Sequence, residues 1–194
     1  KQLSRLLGID PGLRCTGWGV IACDDGRLRH IANGAIQPKP SLADADRLGF
    51  IFNGLGAVIA EHRPDQAAIE QIFVAKSAAS ALRLGMARGV GLLVCGINGL
   101  AVDEISARAV KKAVAGTGAA DKKQVQAMVT RLLAVTPKNA DAADALAIAI
   151  AASNDAGKLP DVRVGLGKGE TAAGLKSAIA AAIARDDARN GGKT

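Results

Sequence analysis

The chain has 194 residues and a formal net charge of +7, and 49% of its residues are hydrophobic. This length and apolar content suffice for one folded domain with a substantial core, and they exclude a chain that is disordered throughout. Three Phe and one Trp are the only aromatic side chains, so the core must consist mainly of Ala, Leu, Ile and Val. The excess of positive charge favours a nucleic-acid or anionic ligand.

The sequence lacks the usual signs of export, membrane insertion and structural metal. No uninterrupted apolar run approaches the roughly 20 residues of a membrane-spanning helix, and no charged-then-apolar signal segment begins the chain. The three cysteines are widely spaced and the two histidines have no partner at metal-ligand spacing, which argues against disulfides and structural zinc. We therefore expect a cytoplasmic protein without membrane contact.

Three short apolar runs open the chain, and each has the length of a strand. We predict strands over residues 5–10, 17–23 and 28–36, because Gly-containing turns separate these runs. The segment Asp24-Asp25-Gly26 between the second and third runs is typical of a hairpin turn.

Helical and strand patterns alternate in the middle of the chain. The predicted elements in chain order are a helix over 42–62, a strand over 66–70, a helix over 78–98, a strand over 100–106, and helices over 122–133 and 141–153. A hairpin meander followed by strand–helix–strand crossovers predicts an α/β fold with a five-stranded mixed sheet flanked by helices.

The composition changes after about residue 155. Gly, Lys and Ala dominate from there, and no strand pattern remains. We therefore assign residues 1–155 to a folded domain and residues 156–194 to a basic tail that we expect to be partly disordered.

Four carboxylates lie at the ends of predicted elements. Asp10 ends the first strand and Glu70 ends the strand over 66–70. If these strands are parallel neighbours, both side chains lie at the carboxyl edge of the sheet, where α/β proteins bind ligands. Asp141 and Asp144 are three residues apart and share one helix face. Ordinary turn chemistry for Asp10, and helix capping for Asp141 and Asp144, are the structural alternatives.

Clustered carboxylates repel one another unless a cation compensates their charge. Mg²⁺ and Mn²⁺ prefer oxygen ligands, and two such ions about 4 Å apart promote phosphoryl transfer. A basic protein with such a cluster is typical of a nuclease.

Four sequence blocks extend this hypothesis to a family. The blocks GIDPGLRCTGWGVI, AIEQIFVAKSAASALRLGMARGV, RAVKKAVAGTGAADKKQVQ and ADAADALAIAI resemble the bacterial RuvC Holliday junction resolvases in order and spacing across residues 5–155. The resemblance implies a ribonuclease-H-like fold, a homodimer and a Mg²⁺-dependent endonuclease with two ions per active site, in which Mn²⁺ substitutes. It places the catalytic, metal-binding carboxylates at Asp10, Glu70, Asp141 and Asp144.

The same resemblance implies DNA contacts and partners. Phe73 falls on the residue that stacks at the junction, Lys76, Lys111 and Lys122 fall in the DNA-contacting blocks, and the helix over 78–98 falls on the dimer contact. Core packing for Phe73 and plain solvated charge for the lysines are the alternatives. The implied activity is paired symmetric cutting of four-way junctions in recombination and repair, with RuvA and RuvB as partners.

Two other functions are compatible with parts of the sequence. DPGLRCTG resembles the first phosphate loop of ATP-binding enzymes with the actin and sugar-kinase fold, but those enzymes need two lobes, which this length does not provide. A non-catalytic DNA-binding dimer is the second alternative. The intact carboxylate set argues against it, because acidic groups near phosphate oppose DNA binding unless metal is present.

Overall fold

A computed structural model describes residues 4–24, 26–71 and 77–154. Phe73, Lys76 and the predicted tail over residues 156–194 lie outside these ranges, so their assignments remain predictions.

Five strands and five helices form the described fold. The strands are β1 (Ser4–Asp10), β2 (Thr16–Asp24), β3 (Arg27–Ile36), β4 (Gln66–Glu70) and β5 (Ala101–Ile105). The helices are α1 (Asp44–His62), α2 (Ala78–Ile97), α3 (Ala107–Ala115), α4 (Lys122–Leu133) and α5 (Ala140–Ser153).

The strands form one mixed sheet in the order β3-β2-β1-β4-β5. The first three strands are antiparallel neighbours, whereas β4 runs parallel to both β1 and β5. Gly26 adopts a φ of 78° in the turn between β2 and β3, a backbone conformation that glycine adopts without strain. The predicted five-stranded mixed sheet is thus confirmed.

Helices cover both faces of the sheet, because side chains alternate along each strand. On one face, Leu6 and Ile21 pack with α3, α4 and α5. On the other face, Leu7, Ile9 and Val20 pack with α1 and α2. β1 is therefore buried on both sides, as its apolar sequence predicts.

Glycines in β1 and β2 let α5 approach the sheet closely. A Cβ atom at Gly17 would lie 2.1 Å from the carbonyl oxygen of Asp141, and one at Gly8 would lie 2.0 Å from that of Ala145. At Gly19 it would lie 2.6 Å from the Leu146 side chain. The backbone of α5 therefore rests directly on the strands, which brings its first two turns to the carboxyl edge of β1.

The helix α3 is absent from the sequence prediction, which placed only two helices after β5. Its caps follow ordinary rules: the Ser106 hydroxyl accepts a hydrogen bond from the Ala109 N–H, and Gly116 ends the helix with a φ of 76°. Ser106 and Gly116, which are ten positions apart, were the signal that the sequence offered. This helix positions Lys111.

The length and composition of α2 alone would allow it to cross a membrane, although Arg83 and Arg88 interrupt its apolar sequence. However, its buried residues Ala87, Val94 and Cys95 belong to the core beneath α1, and Arg88 forms an ion pair with Glu104 of β5. A core helix of a globular domain meets the same criterion, so α2 is part of the outer layer of this domain.

Replacing Gly17 with Ala should destabilise the domain by roughly 1–3 kcal/mol, because the new methyl group would overlap backbone atoms of Asp141 that no rotamer change can move. The measurement is urea unfolding followed by circular dichroism. Gly49→Ala in α1 is the matched control, since nothing lies within 4 Å of a Cβ atom there. The control should be neutral or slightly stabilising, because Ala favours helix over Gly. Equal stability of both variants would contradict the packing described here.

Candidate active site

Asp10 and Glu70 lie side by side at the carboxyl edge of the sheet. In the parallel ladder of β1 and β4, Ile9 is opposite Ile69, so the next residue of each strand is a carboxylate at the same edge. Both side chains are half-buried. This is the arrangement that the sequence predicts for parallel neighbouring strands.

The first two turns of α5 bring Asp141 and Asp144 to this edge. The helix is capped by Asn139, whose side-chain oxygen accepts a hydrogen bond from the Ala142 N–H at 2.8 Å. Helix capping was the alternative explanation for Asp141 and Asp144, and Asn139 fills that role instead. Their side chains make other contacts.

Three of the four carboxylates line one cavity of about 350 Å³. They are Asp10, Glu70 and Asp144, and Lys111 from α3 and Lys122 from α4 also line it. The remaining wall is apolar and consists of Ala107, Val110, Val125, Ala147 and Ile148. Acidic groups from three elements therefore face two lysines across a partly apolar cavity.

Burial and mutual repulsion make Asp10 hard to ionise. Burial is the largest cause that raises its pKa to about 7, and the charges of Asp144, Glu70 and Asp141 raise it further, against an opposing effect of Lys122. The pKa of Glu70 is also raised, first by burial and then by Asp144. The cavity thus holds more negative charge than its surroundings compensate.

Lys122 supplies part of the compensating positive charge. Its Nζ atom lies 2.5 Å from Oδ2 of Asp144, and this hydrogen bond is the main cause that raises the pKa of the lysine. A capping box between Asp121 and Gln124 fixes the start of α4 and hence the position of Lys122. Local sequence signals therefore hold a cation against the carboxylates.

Cys15 is a site residue that sequence reasoning missed. Its thiol donates a hydrogen bond to Oδ2 of Asp141 at 3.0 Å, and the Gln37 side chain donates to Sγ at 3.5 Å. Burial, followed by the hydrogen bond to Asp141, raises the pKa of the thiol to about 11, so it keeps its proton at neutral pH. Nothing in the local sequence distinguishes this cysteine from a packed turn residue.

The cluster fits a divalent cation by the chemistry of its donors. Its ligands are carboxylate oxygens, which Mg²⁺ and Mn²⁺ prefer, and their mutual repulsion is the charge that such an ion would neutralise. Within residues 4–24, 26–71 and 77–154, no three acidic, thiol or imidazole side chains converge closely enough to hold an ion as they stand. Asp141 is directed toward Cys15 and Asp144 toward Lys122, so the carboxylates must reorient to bind metal together.

The sheet order and the carboxylate edge define a ribonuclease-H-like protein. The family model for "Crossover junction endodeoxyribonuclease RuvC" matches residues 6–152. A Caulobacter vibrioides protein of that name is 53% identical over 152 residues, which are 78% of this chain and 90% of the relative. A Maricaulis maris protein of the same name is 55% identical over 146 residues, 75% of this chain and 88% of the relative. The chain belongs to the RuvC family of crossover junction endodeoxyribonucleases and is a nuclease.

Solved structures agree with this assignment. The chain is similar to T. thermophilus RuvC in complex with a Holliday junction substrate, with a TM-score of 0.72 and 31% identity over 76% of this chain and 92% of that one. A yeast mitochondrial Holliday junction resolvase shares the fold, with a TM-score of 0.58 at 14% identity over 77% of this chain and 78% of that one. The first likeness supports the fold and family that the four sequence blocks predict, and the second supports the fold.

Replacing Asp10 with Asn should stabilise the metal-free protein more at about pH 8 than at about pH 5. The reason is that the folded-state pKa of about 7 lies above the usual value of a carboxyl group, so Asp10 destabilises the fold progressively as the pH rises from about 4 through about 7. The measurement is the melting temperature in EDTA at both pH values. Asp24→Asn, an exposed site at the far end of β2, is the control and should change little. An Asp10→Asn effect that is independent of pH would contradict the raised pKa.

Proposed function

We propose that this protein is a homodimeric, Mg²⁺-dependent endonuclease that resolves four-way DNA junctions by paired symmetric cuts and leaves 5′-phosphates. The observation that supports this proposal most directly is the cavity in which Asp10, Glu70 and Asp144 face Lys111 and Lys122. Carboxylates suited to divalent cations thus stand beside lysines suited to a phosphodiester.

In this proposal Asp10, Glu70, Asp141 and Asp144 hold two Mg²⁺ ions, and Mn²⁺ substitutes for them. The chemistry that a pair of such ions supplies is activation of a water molecule and neutralisation of charge on the leaving oxygen. The sheet holds Asp10 and Glu70 rigidly, while the side chains of Asp141 and Asp144 reorient from Cys15 and Lys122. Rigid strand ends beside adjustable helix residues suit a site that must accommodate both ions and DNA.

The lysines of the cavity are proposed to bind the DNA backbone. Lys122 now contacts Asp144, and its ammonium group would be available to a phosphate if a bound cation took its place beside that carboxylate. Lys111 approaches the cavity from α3. Phe73 and Lys76 lie outside the described residues, and their proposed roles, stacking at the crossover and contacting DNA, depend on the family resemblance.

The exposed face of α2 supports the proposed homodimer. Leu82 and Leu93 are 67% and 55% exposed, and Gly85 and Gly89 between them would allow the helix of a second copy to approach closely. A two-fold axis through this face would give two equivalent active sites, as two symmetric cuts require. A cytoplasmic location and the partners RuvA and RuvB complete the proposal.

Asp10→Asn should abolish cleavage of a labelled synthetic four-way junction, whereas junction binding should survive. Asp10 is one of the carboxylates that are proposed to hold metal, whereas affinity comes mainly from basic contacts to phosphates. The measurements are product formation with and without Mg²⁺, on the junction and on a matched linear duplex, together with a gel-shift titration. Asp24→Asn provides a control of equal charge change.

Each result of this experiment decides between functions. Mg²⁺-dependent cutting of the junction by the wild type and the control, with loss in Asp10→Asn, would support the proposal. Binding without any cutting by the wild type would favour the non-catalytic DNA-binding dimer. ATP hydrolysis without DNA cleavage would favour the ATP-binding alternative, and near wild-type cutting by Asp10→Asn would mean that the proposed site is wrong.

Phe73→Ala should leave the melting temperature nearly unchanged and strongly slow junction cleavage, since loss of base stacking costs roughly 1–3 kcal/mol. The cleavage defect should shrink on a junction whose crossover bases are already unpaired, because less unstacking is then required. The measurements are the melting temperature and the cleavage rates on paired and pre-opened junctions. A melting temperature lowered by many degrees would instead place the ring in the core.

A further inference from the structure

A second cavity, of about 500 Å³, is lined mainly by arginines. Its charged lining residues are Arg14, Arg47, Arg83 and Asp44, and Pro38 and Pro40 form part of its wall. Three guanidinium groups against one carboxylate leave an excess of positive charge. We call this cavity, defined by those six residues, the arginine pocket.

The arginine pocket lies at the same edge of the sheet as the carboxylates. Arg14 follows the end of β1, and Pro38 follows β3, which is parallel to β1 because each is antiparallel to β2. Arg47 belongs to the first turn of α1, and Arg83 belongs to the second turn of α2. The carboxylate cavity is formed by α3, α4 and α5 on the other face of the sheet, so the two cavities flank this edge from opposite faces.

A chain of contacts connects the two cavities. Cys15 follows Arg14, and its thiol donates a hydrogen bond to Asp141 beside the other carboxylates. The sulfur of Cys15 also accepts a hydrogen bond from Gln37, which precedes Pro38. A phosphodiester chain that enters the carboxylate cavity and crosses the sheet edge at this loop would therefore reach the arginine pocket.

The arginines are available and partly preorganised. Within the described ranges, none of the three forms an ion pair, and Arg14 and Arg83 are exposed. Arg47 is held by hydrogen bonds to the carbonyl oxygens of Leu42, at 3.0 Å, and Pro40. A guanidinium fixed in this way loses little freedom when it binds, and its planar donors match the oxygens of a phosphate.

We propose that the arginine pocket binds a backbone phosphate of the junction strand near the one that is cut, and so guides that strand across the sheet edge. This inference depends on the proposed function, because the ligand is the DNA substrate itself. The pocket would recognise a phosphate group, and both a DNA strand and free inorganic phosphate carry one. DNA is favoured because the pocket lies at the same sheet edge as the carboxylate cavity and is lined by the exposed residues Arg14 and Arg83.

The test compares the double variant Arg14→Gln/Arg83→Gln with the wild type in junction binding without Mg²⁺. Neither side chain makes a hydrogen bond or ion pair within the described ranges, so the fold should be kept, as the melting temperature will show. Junction affinity should fall roughly tenfold or more. The slope of log affinity against log salt concentration should also flatten by about 1–2. Arg27→Gln/Arg29→Gln, an equal charge change at the opposite end of the sheet, should have a much smaller effect.

Methylphosphonates, each of which replaces one charged phosphate of the cut strand with a neutral group, locate the phosphate that the arginine pocket contacts. At one or two positions near the cut, neutralisation should weaken wild-type binding and leave the double variant unchanged. The proposal is overturned if the double variant binds like the control pair, or if neutralisation affects both proteins equally. It is also overturned if inorganic phosphate raises the melting temperature of the wild type alone while junction affinity is unaffected by the substitutions. Failure of the wild type to bind any junction would instead contradict the proposed function.

Discussion

The close approach of α5 to the β1–β2 hairpin is the constraint on which the rest of the structure depends. The helix can rest on the strands because Gly8 and Gly17 have no Cβ atom at the points of contact. The buried side of α5 consists largely of Ala, which keeps the distance short. At this distance the charges of Asp141 and Asp144 act on Asp10 at the edge of the sheet.

This packing also explains why the carboxylates remain together despite their mutual repulsion. Burial of the α5 residues Leu146, Ile148 and Ile150 contributes favourable free energy of roughly 1.5–3 kcal/mol per large side chain. That gain comes from the core and does not depend on the protonation state of the site. The core thus holds the acidic groups together, and the pKa of Asp10 is raised first by its burial and then by the neighbouring carboxylates. A site assembled in this way is prepared for cations and for the phosphates that accompany them.

The sequence predicted the parts of the fold and site that depend on local patterns. Asp10 and Glu70 could be placed together because apolar strands and a helical crossover imply parallel pairing. The short helix α3 was missed because a run of nine residues is short for a helix, although its sequence is amphipathic. Cys15 was missed because its importance depends on a partner 126 positions away. The arginine pocket was missed for the same reason, since its residues come from four separate segments. The family resemblance supplied Phe73, Lys76, Lys111 and Lys122, which local patterns alone would not have selected.

The edge formed by β1, β4 and α5 is the proposed divalent-metal site. The most direct measurement is X-ray diffraction from crystals of the wild-type protein soaked in Mn²⁺, collected at the manganese absorption edge. We expect anomalous peaks within coordinating distance of the carboxylates of Asp10, Glu70 and Asp144, with Lys122 displaced from Asp144. Manganese bound at other positions only, or no peak at this edge under saturating Mn²⁺, would contradict the proposed metal site.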